Sequence, residues 1–147
     1  MRLGKDLREF IELFLSNEVE FLVVGAHALA FHGRSRHTGD LDLWVRVSEV
    51  NAQRIEKVLA DFGFASTGLQ AGDFLKPDTV IQLGQPPLRI DLLTGITGVT
   101  FDEAWSRRVR GNLDGLAVSF IDRELLIQNK RAVGRPQDLA DVGYLGE

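Results

Sequence analysis

The chain contains no cysteine. This absence excludes disulfide bonds, a thiolate nucleophile and a zinc site built on cysteine ligands. The sequence also lacks the GxxxxGK[ST] and GxGxxG patterns of common phosphate-binding loops and the GxSxG pattern of α/β-hydrolases. Kinase, dinucleotide-dependent and α/β-hydrolase functions therefore have no support in the sequence.

An excess of positive charge and long apolar runs are also missing. The formal net charge is -4, so the chain is not a general binder of polyanions, although a local basic patch is compatible with this value. The first residues, MRLGKDLREFIELFL, are charged throughout and hold no long apolar core, unlike a signal peptide or a membrane span. We expect a cytoplasmic protein with a single domain over residues 1–147.

The apolar pattern predicts helices and strands in alternation. Predicted helices cover 5–16, 26–31, a segment from the N-cap Ser48 to Gly63, a short segment from Thr100 through Trp105, a segment that Asp122 caps and Gly134 ends, and a last one beginning at Pro136. Predicted strands cover 21–24, 41–47, 79–83 and 88–93, with a later hairpin turning near 114–115. In the third helix the predicted apolar stripe is Val50, Ile55, Val58, Leu59 and Phe62. This order predicts an α+β (α/β-like) fold, with helices packed on a small mixed sheet.

Two aspartates occupy one of the predicted strands. Side chains alternate along a strand, so Asp40 and Asp42 should share one face, while Leu41 and Leu43 face the core. A half-buried strand with a polar outer face is the simpler interpretation. However, two carboxylates about 4 Å apart repel by about 4 kcal/mol at an effective dielectric near 20. A hard divalent cation with oxygen ligands would offset this repulsion.

A third aspartate lies inside another apolar run, PLRIDLLTG. If this strand lies beside the first, Asp91 completes a cluster of carboxylates with Asp40 and Asp42 that could hold one or two Mg²⁺ ions. Two metals can activate an attacking oxygen and stabilise a leaving one in phosphoryl chemistry. A charge at a strand edge is the alternative for Asp91 taken alone.

Gly25 and Ala26 lie where a predicted strand meets a predicted helix. Glycine lets a backbone approach closely, and a helix N-terminus favours phosphate through its free N–H groups. A simple tight turn is the alternative. Together with the aspartates, the turn predicts a cradle for a triphosphate beside its metal.

The combined pattern resembles the polymerase-β-like nucleotidyltransferase superfamily, in its minimal bacterial branch, whose members are often encoded in toxin–antitoxin-type operons. The resemblance rests on GAHALAFHGRSRHTGDLDLWV and LLIQNKRAVGRPQDLADVGYL and spans roughly residues 21–145. It implies the nucleotidyltransferase fold. It also implies transfer of a nucleoside monophosphate from an NTP to a hydroxyl acceptor (a tRNA, a protein or a small molecule), with release of pyrophosphate.

The resemblance also implies roles for individual residues. Asp40, Asp42 and Asp91 would be the catalytic and Mg²⁺-binding residues, with Asp91 as the third ligand or as the base that takes the acceptor's proton. The residues implied at the nucleotide and its phosphates are Gly25, Ala26, Arg36 and Lys130. The alternatives are a solvated loop for Arg36 and a contact with the helix dipole for Lys130.

Ala26 departs from the family, which commonly has serine or glycine at this position. Alanine supplies no hydroxyl for a phosphate, although its backbone N–H remains. This departure and the short chain motivate a competing hypothesis. In it, a catalytically weak or inactive protein of the same fold acts as a toxin–antitoxin or regulatory binding partner. A homodimer is also expected, since two-fold assemblies are the commonest.

Overall fold

The computed structural model describes residues 3–34, 40–85 and 89–146. Short helices and strands alternate along most of this length, with two 3₁₀ turns, Ala65–Thr67 and Ala71–Phe74, before the third strand. In chain order the elements are α1 (Lys5–Ser16), β1 (Phe21–Val24), α2 (Gly25–Phe31), β2 (Asp40–Val45), α3 (Glu49–Phe62), β3 (Val80–Leu83), β4 (Arg89–Leu93), α4 (Phe101–Ser106), β5 (Val109–Leu113), β6 (Leu116–Phe120), α5 (Arg123–Val133) and α6 (Pro136–Tyr144).

The strands form a six-stranded mixed sheet in the order β3-β4-β2-β1-β6-β5. Strand β2 pairs antiparallel with β1 and parallel with β4, while β1 pairs parallel with β6. The outer strands β3 and β5 each pair antiparallel with an inner neighbour, β4 and β6. The predicted α+β class, with helices on a small mixed sheet, is confirmed.

Local capping explains where the helices begin and end. The side chain of Ser48 accepts a hydrogen bond from the backbone N–H of Asn51 at 3.2 Å, and α3 ends at Gly63 in the left-handed region. Asp122 caps α5 in the same way, accepting from the N–H of Leu125 at 3.0 Å. These predicted helix boundaries depend only on neighbouring residues, and the structure confirms them.

The hairpin of β5 and β6 turns at the predicted pair of residues. Asp114 has φ 50° and Gly115 has φ 84°. A two-residue turn with positive φ at both positions follows the right-handed twist of the strands that it joins. The local pattern was therefore sufficient to place this hairpin.

The prediction that Val50 belongs to the inward-facing apolar stripe of α3 is wrong. Val50 is 58% exposed, whereas the polar Asn51 beside it is buried. Asn51 accepts a hydrogen bond from the N–H of Glu20 at 2.8 Å and donates to the carbonyls of Glu20 and Arg46 at 3.1 and 2.9 Å. Because its amide is satisfied by backbone from outside α3, Asn51 can occupy the inward position.

The boundaries of two strands also differ from the prediction. Strand β3 begins at Val80 rather than at Thr79. Strand β2 begins at Asp40 and ends at Val45, so it does not extend to Val47, which is 40% exposed. The predicted strand at 88–93 is described from Arg89 onward, and Leu88 lies outside the described residues. Among the helices that the structure describes, none is both long enough and apolar enough to cross a membrane.

Candidate active site

The candidate site lies on one face of the adjacent parallel strands β2 and β4. Their register places Asp42 beside Asp91 and Asp40 beside Arg89. Because side chains alternate, these four residues share a face, while Leu41, on the opposite face, is fully buried. The structure thus confirms that the two aspartates of β2 share a face and that the strand of Asp91 lies beside them.

The carboxyl group of Asp42 is strongly perturbed. Burial, the charge of Asp91, a hydrogen bond with Asp91 and the charge of Asp40 together raise the pKa of Asp42 to about 7, although the charge of Arg89 acts in the opposite direction. Asp91 itself is only 7% exposed. The pair of carboxyls is therefore poised to hold a proton or a cation at neutral pH.

Arg89 is a member of this site that the sequence interpretation missed. Its Nε donates to Oδ1 of Asp91 at 3.0 Å and its Nη2 donates to Oδ2 at 3.0 Å, a bidentate pair. The same Nη2 lies 3.5 Å from Oδ2 of Asp40. Arg89 stands two residues before Asp91, so the strand alternation that placed Asp40 with Asp42 also predicts a shared face here.

The three aspartates are not equivalent as metal ligands. Within the described ranges, no group of three or more histidine, cysteine, aspartate or glutamate residues is arranged to hold a metal ion. The structure brings Asp42 and Asp91 together and places Asp40 against Arg89. The pair of Asp42 and Asp91 still fits a hard divalent cation, because it offers carboxylate oxygens and a cation between them would offset the repulsion of their negative charges.

Gly25 connects the phosphate side of the predicted site to the carboxylates. It begins α2 directly after β1, at φ 67°, a backbone conformation that L side chains rarely adopt. A Cβ atom added here would lie 2.8 Å from Cγ of Asp42 and overlap its carboxylate. Only glycine therefore fits, because Asp42 occupies the space beside it. Ala26 is the second residue of α2 and is not among the described residues that line the cleft beside this turn.

A cleft of about 490 Å³ opens over these residues. Its volume lies within the usual range for small-molecule sites. The sheet contributes Asp42 and Asp91, the turn contributes Gly25, and the C-terminal helices and the residues that join them contribute Asn129, Lys130 and Arg135. The cleft thus brings together residues from both ends of the chain.

Helix α5 is held against this side of the sheet by two side-chain contacts with the loop after β4. Asn129 donates to the carbonyl of Thr97 at 2.9 Å, and Gln128 donates to the carbonyl of Gly98 at 2.7 Å. The two side chains come from the residues just before Lys130, and their partners lie in the loop that follows β4. These contacts therefore help to hold α5 near the strand that carries Asp91.

Lys130 lies at the cleft wall in contact with two carboxylates of α6. Its Nζ lies 3.0 Å from Oδ2 of Asp141 and 3.5 Å from Oδ1 of Asp138. Asp141 is fully buried and also binds Nε of Arg34 at 2.8 Å. Asp138 accepts from the backbone N–H of Arg135 at 3.2 Å, and this arginine lowers the pKa of the Asp138 carboxyl. Lys130 thus joins α5 to α6, and its predicted contact with phosphate stays a prediction.

Arg36, the remaining predicted phosphate-binding residue, lies outside the described residues. A larger depression of about 680 Å³ lies between α1 and the end of α3, where Asp6, Glu9 and Asp61 line it. It contains none of the predicted site residues. The smaller cleft is therefore the candidate active site, because it alone combines the carboxyl pair with the glycine turn among the described surfaces.

Comparison with known proteins supports the fold. No family profile matches the chain, and no curated protein matches it in sequence. Among solved structures, the candidate nucleotidyltransferase TM1012 of Thermotoga maritima matches with a TM-score of 0.60 and 14% identity, over 93% of this chain and 88% of that one. The chain has the nucleotidyltransferase fold.

Two further structures of this fold match the chain. The lincosamide antibiotic adenylyltransferase LnuA, bound to lincomycin, matches with a TM-score of 0.54 and 13% identity, over 97% of this chain and 96% of that one. An antigenic nucleotidyltransferase-like protein of Paracoccidioides brasiliensis matches with a TM-score of 0.51 and 14% identity, over 95% of this chain and 74% of that one. At these identities the likeness shows the fold alone, because one fold can host many unrelated functions.

Proposed function

We propose that the protein is a Mg²⁺-dependent nucleotidyltransferase. It would transfer a nucleoside monophosphate from an NTP to a hydroxyl acceptor and release pyrophosphate. The observation that supports this function is the partly buried pair of Asp42 and Asp91, placed directly beside the Gly25 turn in one cleft. The fold, which is shared with an antibiotic adenylyltransferase, supports the same class of reaction.

The carboxylates of Asp42 and Asp91 would hold the metal, with Asp40 as the third ligand. When bound, Mg²⁺ supplies positive charge that stabilises the transferring phosphoryl group and its leaving group. Asp42 and Asp91 would have to be ionised to bind it. The raised pKa of Asp42 means that proton release accompanies binding near neutral pH.

The residues of the chain would position the substrates and accept a proton. The acceptor oxygen forms a bond to the α-phosphorus while the bond from this phosphorus to the β-phosphate oxygen breaks, and pyrophosphate leaves. The hydroxyl proton would pass to Asp91, the residue that the resemblance implies as the base, because a carboxylate within reach of the acceptor can take a proton in the transition state. The missing side chain of Gly25 allows the phosphates to approach the backbone at the start of α2.

Radiolabelled nucleotides provide the direct test. The wild-type protein is incubated with α-labelled NTPs, Mg²⁺ and three acceptor pools: tRNA, protein, and small hydroxylated molecules that include lincosamides. Transfer of label to an acceptor by wild type, with loss in Asp42→Ala and retention in the distant Arg110→Gln variant, supports the proposal. Arg110 lies on β5, at the far edge of the sheet from β4. Absence of transfer to all three pools by wild type contradicts the proposal.

A binding partner with little or no turnover, in a toxin–antitoxin pair or a regulatory complex, is the second candidate. The guanidinium of Arg89 favours it, since it already satisfies the Asp91 carboxylate without a metal. Calorimetric titration with each NTP and Mg²⁺ separates the two functions. Tight nucleotide binding favours the enzyme, and no binding of any nucleotide favours the partner role.

A further inference from the structure

The carboxylates of the candidate site already contact a cation that belongs to the chain. Arg89 binds both oxygens of Asp91 at 3.0 Å, and the same guanidinium lies 3.5 Å from Oδ2 of Asp40. The arrangement follows from the strands: residues 89 and 91 share a face of β4, and Asp40 is the register partner of Arg89 on β2. One planar side chain thus spans two of the three aspartates.

We infer that Arg89 is a positioning residue that sets the divalent-metal affinity of this site. It holds the carboxylates of Asp91 and Asp40 in the absence of metal and is displaced from Asp91 when metal binds. The inference rests on the proposed function, because it takes Asp42 and Asp91 as the metal ligands. It concerns the affinity of the site rather than the transfer reaction.

Competition for the same oxygen atoms is the basis of this inference. Each oxygen of Asp91 accepts a charge-assisted hydrogen bond from Arg89, so a metal coordinated by this carboxylate must replace at least one of these bonds. The positive charge of Arg89 also repels an incoming cation at short range. Both effects weaken metal binding, so removal of the guanidinium should strengthen it.

A purely supporting role predicts the opposite result. If Arg89 served only to orient Asp91 for the metal, its loss would leave this carboxylate misplaced and metal binding would weaken. The sign of the change in metal affinity therefore separates the two roles.

Thermal stability provides a second readout. In Arg89→Gln the carboxylates of the site would repel one another, because the counter-charge of Arg89 is missing. We expect this variant to melt at a lower temperature than wild type without metal and to gain more from added Mg²⁺.

The experiment measures metal binding directly, without a nucleotide. Free Mn²⁺ is quantified by electron paramagnetic resonance and Mg²⁺ binding by calorimetry, at about pH 8.5 so that the carboxyls are ionised. The variants are Arg89→Gln, Arg89→Lys and Arg110→Gln. The last removes the same charge from an exposed position on β5, at the other edge of the sheet. Circular dichroism confirms that each variant is folded.

We expect Arg89→Gln to bind Mn²⁺ about tenfold more tightly than wild type, and Arg110→Gln to bind like wild type. Arg89→Lys should lie between them, because an ammonium keeps the charge but loses the bidentate geometry. This variant also provides the test if the glutamine variant does not fold. Binding by both Arg89 variants that equals or falls below wild type overturns the inference, as does the absence of metal binding in wild type and both variants.

These outcomes are distinct from those of the proposed function. If no label is transferred but Arg89→Gln binds metal more tightly, the transferase proposal fails and Arg89 remains the residue that sets metal affinity. If label is transferred but neither Arg89 variant binds metal more tightly than wild type, the inference about Arg89 fails alone.

Discussion

Asp42 and Asp91 face each other as register partners on the parallel strands β2 and β4, and their proximity in a partly buried site raises the pKa of Asp42 to about 7. Although Arg89 contacts Asp91, one carboxyl of the pair must stay protonated or repel its neighbour unless a further cation binds. The arrangement therefore favours a site that binds a cation over one that only supports the sheet.

Replacement of Asp42 by asparagine should stabilise the metal-free protein. The unfolded chain releases this proton near pH 3.8, whereas the folded protein holds it until about pH 7, so stability falls as the pH rises between these values. We expect Asp42→Asn to gain about 2–4 kcal/mol in free energy of unfolding at about pH 8 and almost nothing at about pH 4. Urea denaturation with EDTA at both pH values measures this difference.

Asp61→Asn is the matched control for that experiment. Asp61 forms an exposed ion pair with Lys57 on α3, with 2.7 Å between Oδ2 and Nζ. Its replacement should change the free energy of unfolding by less than about 0.5 kcal/mol. An Asp42→Asn protein that is less stable than wild type at pH 8 would show that the Asp42 carboxylate contributes stabilising contacts in the folded state.

Metal binding should depend on pH because of the same group. Below about pH 7 a divalent cation must displace the proton of Asp42, so its affinity should fall about tenfold for each pH unit. Calorimetry in two buffers of different ionisation enthalpy counts the released protons. Asp42→Asn should release none between pH 6 and 8, and affinity in wild type that does not vary over this range would contradict the assignment.

Local sequence patterns predicted the helix ends and the hairpin well, and non-local contacts explain most of the misses. Ser48, Asp122 and Gly115 act through neighbours in the chain, so their roles follow from the sequence alone. Asn51 is buried because its amide binds the backbone of Glu20, which lies 31 positions away. No periodicity within α3 contains that contact.

Only part of the site could be predicted, because its remaining contacts are also non-local. Alternation placed Asp40 and Asp42 on one face, but their proximity to Asp91 depends on the pairing of β2 with β4, which the sequence interpretation could only assume. The same alternation places Arg89 on the face of Asp91, but its contact with Asp40 depends on the pairing of the two strands. The partners of Lys130 on α6 emerge only from the packing of two helices.

Gly25→Ala should destabilise the protein and displace Asp42. Alanine at φ 67° is strained, and its Cβ would overlap the Asp42 carboxylate, so we expect a loss of about 2–4 kcal/mol in thermal or urea denaturation. Gly63→Ala is the control, since Gly63 also has positive φ, at 97°, but a Cβ there meets open space. That variant should lose only about 1 kcal/mol.

The overlap can be isolated from the backbone strain. Combining Gly25→Ala with Asp42→Gly removes the carboxylate that the new Cβ would meet. We expect the double variant to be more stable than the sum of the two single changes predicts. Strict additivity would mean that the chain relieves the overlap by moving Asp42 at little cost.

Lys130→Met should strongly destabilise the contact between α5 and α6. Asp141 is fully buried and lies 3.0 Å from Nζ of Lys130, so loss of the ammonium leaves a buried carboxylate with less positive charge around it. Breaking such a pair costs about 3–5 kcal/mol. Lys57→Met, which removes an exposed pair within α3, should cost less than about 0.5 kcal/mol. The free energy of unfolding of both variants is measured by urea denaturation. Equal losses would show that the buried ion pair stabilises the protein no more than the exposed one does.

We expect His27 to have a measurable effect on the pH dependence of stability once Asp42 is replaced by asparagine. It is buried in α2, its Nδ1 has no hydrogen-bond partner among the described residues, and burial lowers the pKa of its imidazole below 6.5. The unfolded chain takes up this proton as the pH falls through 6.5 while the folded protein resists it, so stability is lost toward acid pH.

In wild type, Asp42 produces the opposite slope over the same range, because the folded protein gains stability as its raised pKa is passed from above. Asp42→Asn removes that compensation, and we expect its free energy of unfolding to fall as the pH drops below about 6.5, by up to about 1.4 kcal/mol per pH unit. Adding His27→Gln should flatten the curve. A slope that persists in the double variant would assign the acid sensitivity to another group, and Asp138 is a poor candidate because its pKa lies below its usual value.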